Sequence, residues 1–62
     1  MGALLTAREV AQYCGVPLKT VYGWNTAGTG PKYYRVGKHV RYRASEVDKW
    51  LERHAVIPRD PA

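Results

Sequence analysis

Apolar residues recur at helical spacing in two stretches of the first half of the chain. Ala7, Val10, Ala11 and Cys14 stand at i, i+3, i+4 and i+7, which places them on one stripe of a helix. Thr6-Ala7-Arg8-Glu9 reads as a capping box, the Thr6 hydroxyl accepting from the Glu9 amide while the Glu9 carboxylate reaches back to the Thr6 amide. Gly15 is placed to end that helix in a left-handed conformation. Leu18, Val21 and Trp24 then form a second stripe, leaving Lys19, Thr20, Tyr22, Gly23 and Thr26 on the outward side. Pro17 fits the first position of this second helix, where its missing N–H is harmless. Thr20 offsets the lack of a Ser or Thr cap. The helix should finish near Thr26 or Ala27, because Gly28, Gly30 and Pro31 punctuate the next segment.

From Tyr33 to Arg43 the period changes to 2. Tyr34 and Val36 alternate with Arg35, and Val40 and Tyr42 with Arg41 and Arg43, across a Gly37-Lys38 turn. The expectation is a hairpin with its aromatic and Val residues on one face, its arginines on the other, and Lys38 and His39 at a projecting tip. A hairpin alone is barely stable in water, so its apolar face should lie on the helices. Ser45-Glu46-Val47-Asp48 predicts the cap of a third helix carrying Val47, Trp50, Leu51 and His54 on one stripe. Trp24 and Trp50 are the largest apolar side chains and are expected at the centre of the core. Stacking of single-stranded bases on these indoles is the weaker reading, since each falls on the inward side of its helix. The predicted fold is mainly α with a small β-hairpin, three helices plus a two-stranded wing. Residues 1–54 form the domain and residues 55–62, with Pro58 and Pro61, a flexible tail.

The two closely spaced helices suggest a helix-turn-helix. The outer side of the second, basic, hydroxylated and slim, suits a major groove. Charge strengthens this. The 62 residues carry a formal net charge of +5, and no acid occurs between Val10 and Ser45, a span that holds Lys19, Lys32, Arg35, Lys38, Arg41 and Arg43. Such a field attracts a polyanion, nucleic acid being the commonest.

Size and composition narrow the alternatives. A domain this small buries only about 60% of the surface its unfolded chain exposes, so an enclosed active site is not expected. Ser45, Asp48 and His54 form no usable triad, since Ser45 and His54 would lie more than two turns apart on one helix. The lone Cys14 excludes an intramolecular disulfide, fits a reducing cytoplasm, and reads as a small buried residue. With only His39 and His54 beside it, a structural zinc site lacks ligands, and no cofactor is expected. No apolar run approaches the roughly 18 residues of a membrane span. The Met1–Thr6 stretch matches the loose myristoylation pattern, but Leu5 and Thr6 are better explained as the lead into the first helix.

Leu5-Thr6 with Glu9-Val10-Ala11, Gly15-Val16 with Thr20-Val21-Tyr22 and Trp24, Tyr34-Arg35-Val36-Gly37 with Arg41-Tyr42, and Val47 with Trp50-Leu51 resemble the excisionase and MerR-like winged-helix family. The resemblance implies a winged helix-turn-helix that binds double-stranded DNA in the bacterial cytoplasm. Its recognition helix would contribute Lys19, Thr20, Tyr22, Gly23 and Thr26, and its wing Lys38, His39 and Arg41, with Arg35 and Arg43 as further cations of the hairpin. Several relatives carry arginine where this chain has Gly23; its absence removes a guanine or phosphate contact, so that specificity from the helix is either weaker or rests on Lys19 and Tyr22. It further implies a recombination directionality factor that occupies adjacent sites cooperatively, bends the DNA and assists a phage integrase in prophage excision. A small transcriptional regulator on the same fold is the alternative, and a protein-only adaptor the third.

Overall fold

A computed structural model describes residues 4–58. Gly2 of the acylation pattern and residues 59–62 of the expected tail lie outside the described residues. The element order is α1 (Ala7–Cys14), α2 (Leu18–Ala27), β1 (Tyr34–Val36), β2 (His39–Arg41) and α3 (Ala44–Arg53). Three helices and one antiparallel hairpin make up the predicted mainly helical, winged architecture.

α1 begins as its local chemistry dictates. The Glu9 amide donates to Thr6 Oγ1 at 3.0 Å and the Thr6 amide donates to Glu9 Oε1 at 2.8 Å, which satisfies two donors that a helix start otherwise leaves open. Gly15 closes the helix with φ 71°, and Val16 N–H returns to Ala11 O at 3.0 Å. α2 then starts at Leu18 with Pro17 as its N-cap, one position earlier in role than the sequence implies, and no side chain caps it. It ends at Ala27 against Gly28.

The core is small: Ala7, Val10 and Ala11 of α1, Val21 of α2, Tyr42, and Val47 of α3. Burial of each valine stabilises by about 1.5–3 kcal/mol. The expectation that Trp24 and Trp50 form its centre is not met. Both are half-buried and pack against one another with ring centroids 4.7 Å apart and planes tilted by 49°. The largest fully buried side chain is Tyr42. An indole is too large for a core of this size to enclose, and Trp50 must also place its N–H, which donates to Thr29 O at 2.9 Å. His54 extends the aromatic row, its ring tilted against Trp50 with centroids 4.5 Å apart.

The hairpin also departs from expectation, in which residues share a face. Tyr34 pairs with Arg41, Arg35 with Val40 and Val36 with His39, and directly opposed residues lie on the same face. Tyr34 and Val36 therefore share a face with His39 and Arg41, and Arg35 shares one with Val40. The cause is the two-residue Gly37-Lys38 loop, which pairs even with odd positions and so puts the two apolar runs on opposite sides. Gly37 takes φ 62°, the positive angle that a tight hairpin turn demands at its first position. Val40 and Tyr42 face the core, and Val36 is 52% exposed. Behind the hairpin, Leu5 and Tyr42 exchange two backbone hydrogen bonds of 2.7 and 2.8 Å, tying the segment before α1 to the segment after β2.

α3 starts at Ala44 with Arg43 as its N-cap and without a side-chain cap, so the expected Ser45 cap is not used. Val47 amide donates to Arg43 O at 3.1 Å. Tyr13 of α1 donates its hydroxyl to Asp48 Oδ1 of α3 across the surface, and that bond, foremost, raises the Tyr13 pKa above its usual 10. Residues 55–58 follow α3 without regular structure and exposed.

A Cβ placed on Gly30 would meet Trp24 Cβ at 2.6 Å. Gly30→Ala is therefore expected to lower stability by about 1–3 kcal/mol through forced displacement of the indole. Urea unfolding followed by tryptophan fluorescence checks this, and an unchanged midpoint would contradict the packing.

Candidate nucleic-acid interface

Both N-terminal helices carry a cation in their first turn, Arg8 in α1 and Lys19 in α2. Cations are disfavoured at the positive end of a helix dipole, so neither is placed for the helix itself. In α1 the neighbouring Glu9 is committed to the Thr6 amide, which leaves Arg8 without that carboxylate as a close partner. In α2 the first turn holds no acid.

The starts of these helices and the hairpin tip border an open cleft of about 560 Å³, lined by Thr6, Ala7, Arg8, Leu18, Tyr22, Lys38, His39, Val40 and Arg41. Its lining holds three permanent cations and no acid. Tyr22 is 54% exposed beside it. Arg41 is half-buried and its Nη1 donates to Val40 O at 2.8 Å, so its guanidinium is held against the hairpin.

The cleft thus gathers Tyr22, Lys38, His39 and Arg41 from the predicted set and adds Arg8, which sequence reasoning missed. The capping box was the signal that could have found it, since a Glu turned back to the backbone no longer neutralises the residue before it. Lys19, Gly23 and Thr26 lie outside the cleft lining, exposed along α2, and Thr20 is half-buried. Thr26 spends its hydroxyl on the helix, donating to Tyr22 O at 3.1 Å. Arg43 is not in the cleft. Its guanidinium lies 5.1 Å from the Tyr34 ring, with Lys32 Nζ 5.5 Å from the same ring, a second cationic patch on the outer face of the hairpin. Arg35 is exposed on the opposite face.

The relative position of helix and wing is fixed from below. Asn25 of α2 donates from Nδ2 to the Tyr42 hydroxyl at 2.7 Å, and burial holds the Tyr42 pKa above its usual 10. The phenol therefore stays neutral there over the whole physiological range.

A protein-family model described as a helix-turn-helix domain matches residues 4–55. The chain belongs to this family. A search of the curated proteins found no match. The match spans α1, α2, the hairpin and α3, and it supports double-stranded DNA as the partner of this helix-turn-helix domain. Domains of the family typically bind rather than catalyse. Among the described residues no group of three or more His, Cys, Asp and Glu lies together to hold a metal ion, and no described helix is long and apolar enough to cross a membrane. Burial pushes the Cys14 thiol pKa up, which lowers its thiolate fraction and suits a packing role.

Asn25 Oδ1 is buried without a partner, so the domain already tolerates one open polar atom at this joint. Tyr42→Phe would leave Nδ2 open as well and is expected to cost about 1–3 kcal/mol. A urea titration reads this directly, and a loss of only a few tenths of a kcal/mol would show that the bond does not hold helix and wing together.

Proposed function

We propose that this helix-turn-helix domain is a sequence-specific DNA-binding protein that acts as an excisionase. It lays α2 in a major groove and its hairpin in the neighbouring minor groove, and it occupies adjacent sites cooperatively to bend DNA for integrase-mediated excision. The observation that carries the reading is the acid-free cleft in which Arg8, Lys38 and Arg41 converge beside Tyr22. A phosphate backbone running between the two grooves would pass there. Lys19, Tyr22, Gly23 and Thr26 would face base edges, with Thr20 at their margin. Lys38 and His39 at the tip would enter a narrow minor groove, which favours deformable A·T-rich sequence.

Arg43 with Lys32, and Arg35 on the reverse face, would extend the contact to flanking phosphates. Val56 and Ile57, 86% and 88% exposed after α3, offer apolar contact to a neighbouring copy or to integrase. Linking neighbours in this way raises effective concentration without new base contacts, a need for any reader with one short recognition helix.

Two measurements test the proposal. If about four to six phosphates are neutralised, log affinity for duplex DNA should fall with log salt at a slope of roughly −4 to −5, and Arg8→Ala or Arg41→Ala should each shallow that slope by about 1. A flat salt dependence would remove the assignment. Footprinting beside the gene then separates roles: evenly spaced tandem protection at a recombination site supports excision, and a lone promoter operator supports transcriptional control instead.

A further inference from the structure

Four of the five glycines in the described residues have a reason inside the fold. Gly15, Gly28 and Gly37 hold positive φ, and Gly30 lies against Trp24. Gly23 has neither. Its φ is not in the left-handed region, and a Cβ built on it meets no atom within 4 Å. Yet it lies in the interior of α2, where glycine is unfavourable relative to alanine, in a domain small enough for that penalty to matter. Nothing in the described fold excludes a side chain there.

The surroundings say what kind of group it is. Lys19, Tyr22 and Thr26 stand at i−4, i−1 and i+3 from Gly23 and are all exposed, so the missing side chain leaves a notch on the outward surface of the helix. Its floor presents no free polar group, because backbone N–H and C=O groups in a helix interior bond to one another. The Thr26 hydroxyl is committed to Tyr22 O at 3.1 Å, and the Tyr22 ring is 54% exposed beside it. The floor of the notch is paired helix backbone, and its depth is the one methyl group that an alanine would add there. On the floor of a major groove the base edges present donors, acceptors and one apolar protrusion, the C5-methyl of thymine.

We propose that Gly23 is the point of closest approach of α2 to the duplex and that its notch receives a thymine methyl, making this position a reader of thymine by shape. The proposal rests on the duplex reading above. Gly23 specifies by what it lacks, whereas an arginine at this position would read by hydrogen bonding instead.

The experiment selects tight-binding duplexes from a randomised pool with the full chain, then replaces each thymine of the winner by uracil in turn. At one position, loss of the methyl should weaken binding by about 3–10-fold, the worth of one buried methyl group. Gly23→Ala should bind the thymine duplex about 10-fold or more weakly, because the new methyl occupies the space, and the uracil at that one position should restore most of the loss. The same variant should melt about 2–8 °C higher than the parent, so weaker binding cannot be unfolding. Unchanged binding by Gly23→Ala, or weaker binding that no uracil restores, overturns the proposal while leaving duplex binding intact. Failure of the pool to enrich any duplex removes the duplex reading itself, and this inference with it.

Discussion

The burial of Tyr42 is the constraint on which the geometry depends. Its backbone exchanges hydrogen bonds of 2.7 and 2.8 Å with Leu5, which brings the start of α1 to the base of the hairpin. Its hydroxyl accepts from Asn25 at 2.7 Å, which brings α2 to the same point. Its ring packs with Val10, Val21 and Val47 in the core and lies 5.9 Å from Tyr33. One residue beyond it, Arg43 is the N-cap of α3. A two-stranded hairpin has little stability of its own, so this anchorage is what allows the wing to hold a direction relative to the helices.

Charge follows from that joint. Acids are confined in the described chain to Glu9, which caps its own helix, and to Glu46, Asp48 and Glu52 on α3. Arg8 of α1 and Lys38 and Arg41 of the hairpin are therefore presented together in one acid-free cleft, with Lys19 exposed outside it on α2. The dipoles of the two helix starts add to them rather than oppose them. A helix that is unfavourably charged by itself becomes favourable beside a polyanion, so stability of the free domain and affinity for DNA pull the same residues in different directions.

How much of this could be read from the residues depended on the range of each contact. The Thr6–Glu9 box and the Gly15 stop are made within a few residues and were legible in full. Hairpin position was legible because Gly37-Lys38 breaks two runs of period 2, but its faces were not. Register is set by loop length, and a two-residue loop puts Tyr34 and Val36 opposite His39 and Arg41. The centre of the core was misplaced onto Trp24 and Trp50 because side-chain size was weighed without asking what a domain of this size can enclose. Arg8 was hidden by its neighbour: along the sequence Glu9 cancels it, while in space the Glu9 carboxylate is turned to the Thr6 amide. In α2 the outward set of Lys19, Tyr22, Gly23 and Thr26 followed from period alone, and Thr20 proved half-buried at its edge.

On the reading proposed above, the α1 start, the α2 outer face and the hairpin tip form one rigid surface for DNA. An NMR titration of the labelled chain with a short duplex tests it most directly. The amides of Arg8, Tyr22, Gly23, Lys38 and Arg41 are expected to shift along a common saturation curve while those of Lys49 and Glu52 on α3 stay put. Shifts centred on α3, or a hairpin that responds at a different duplex concentration from α2, would contradict it.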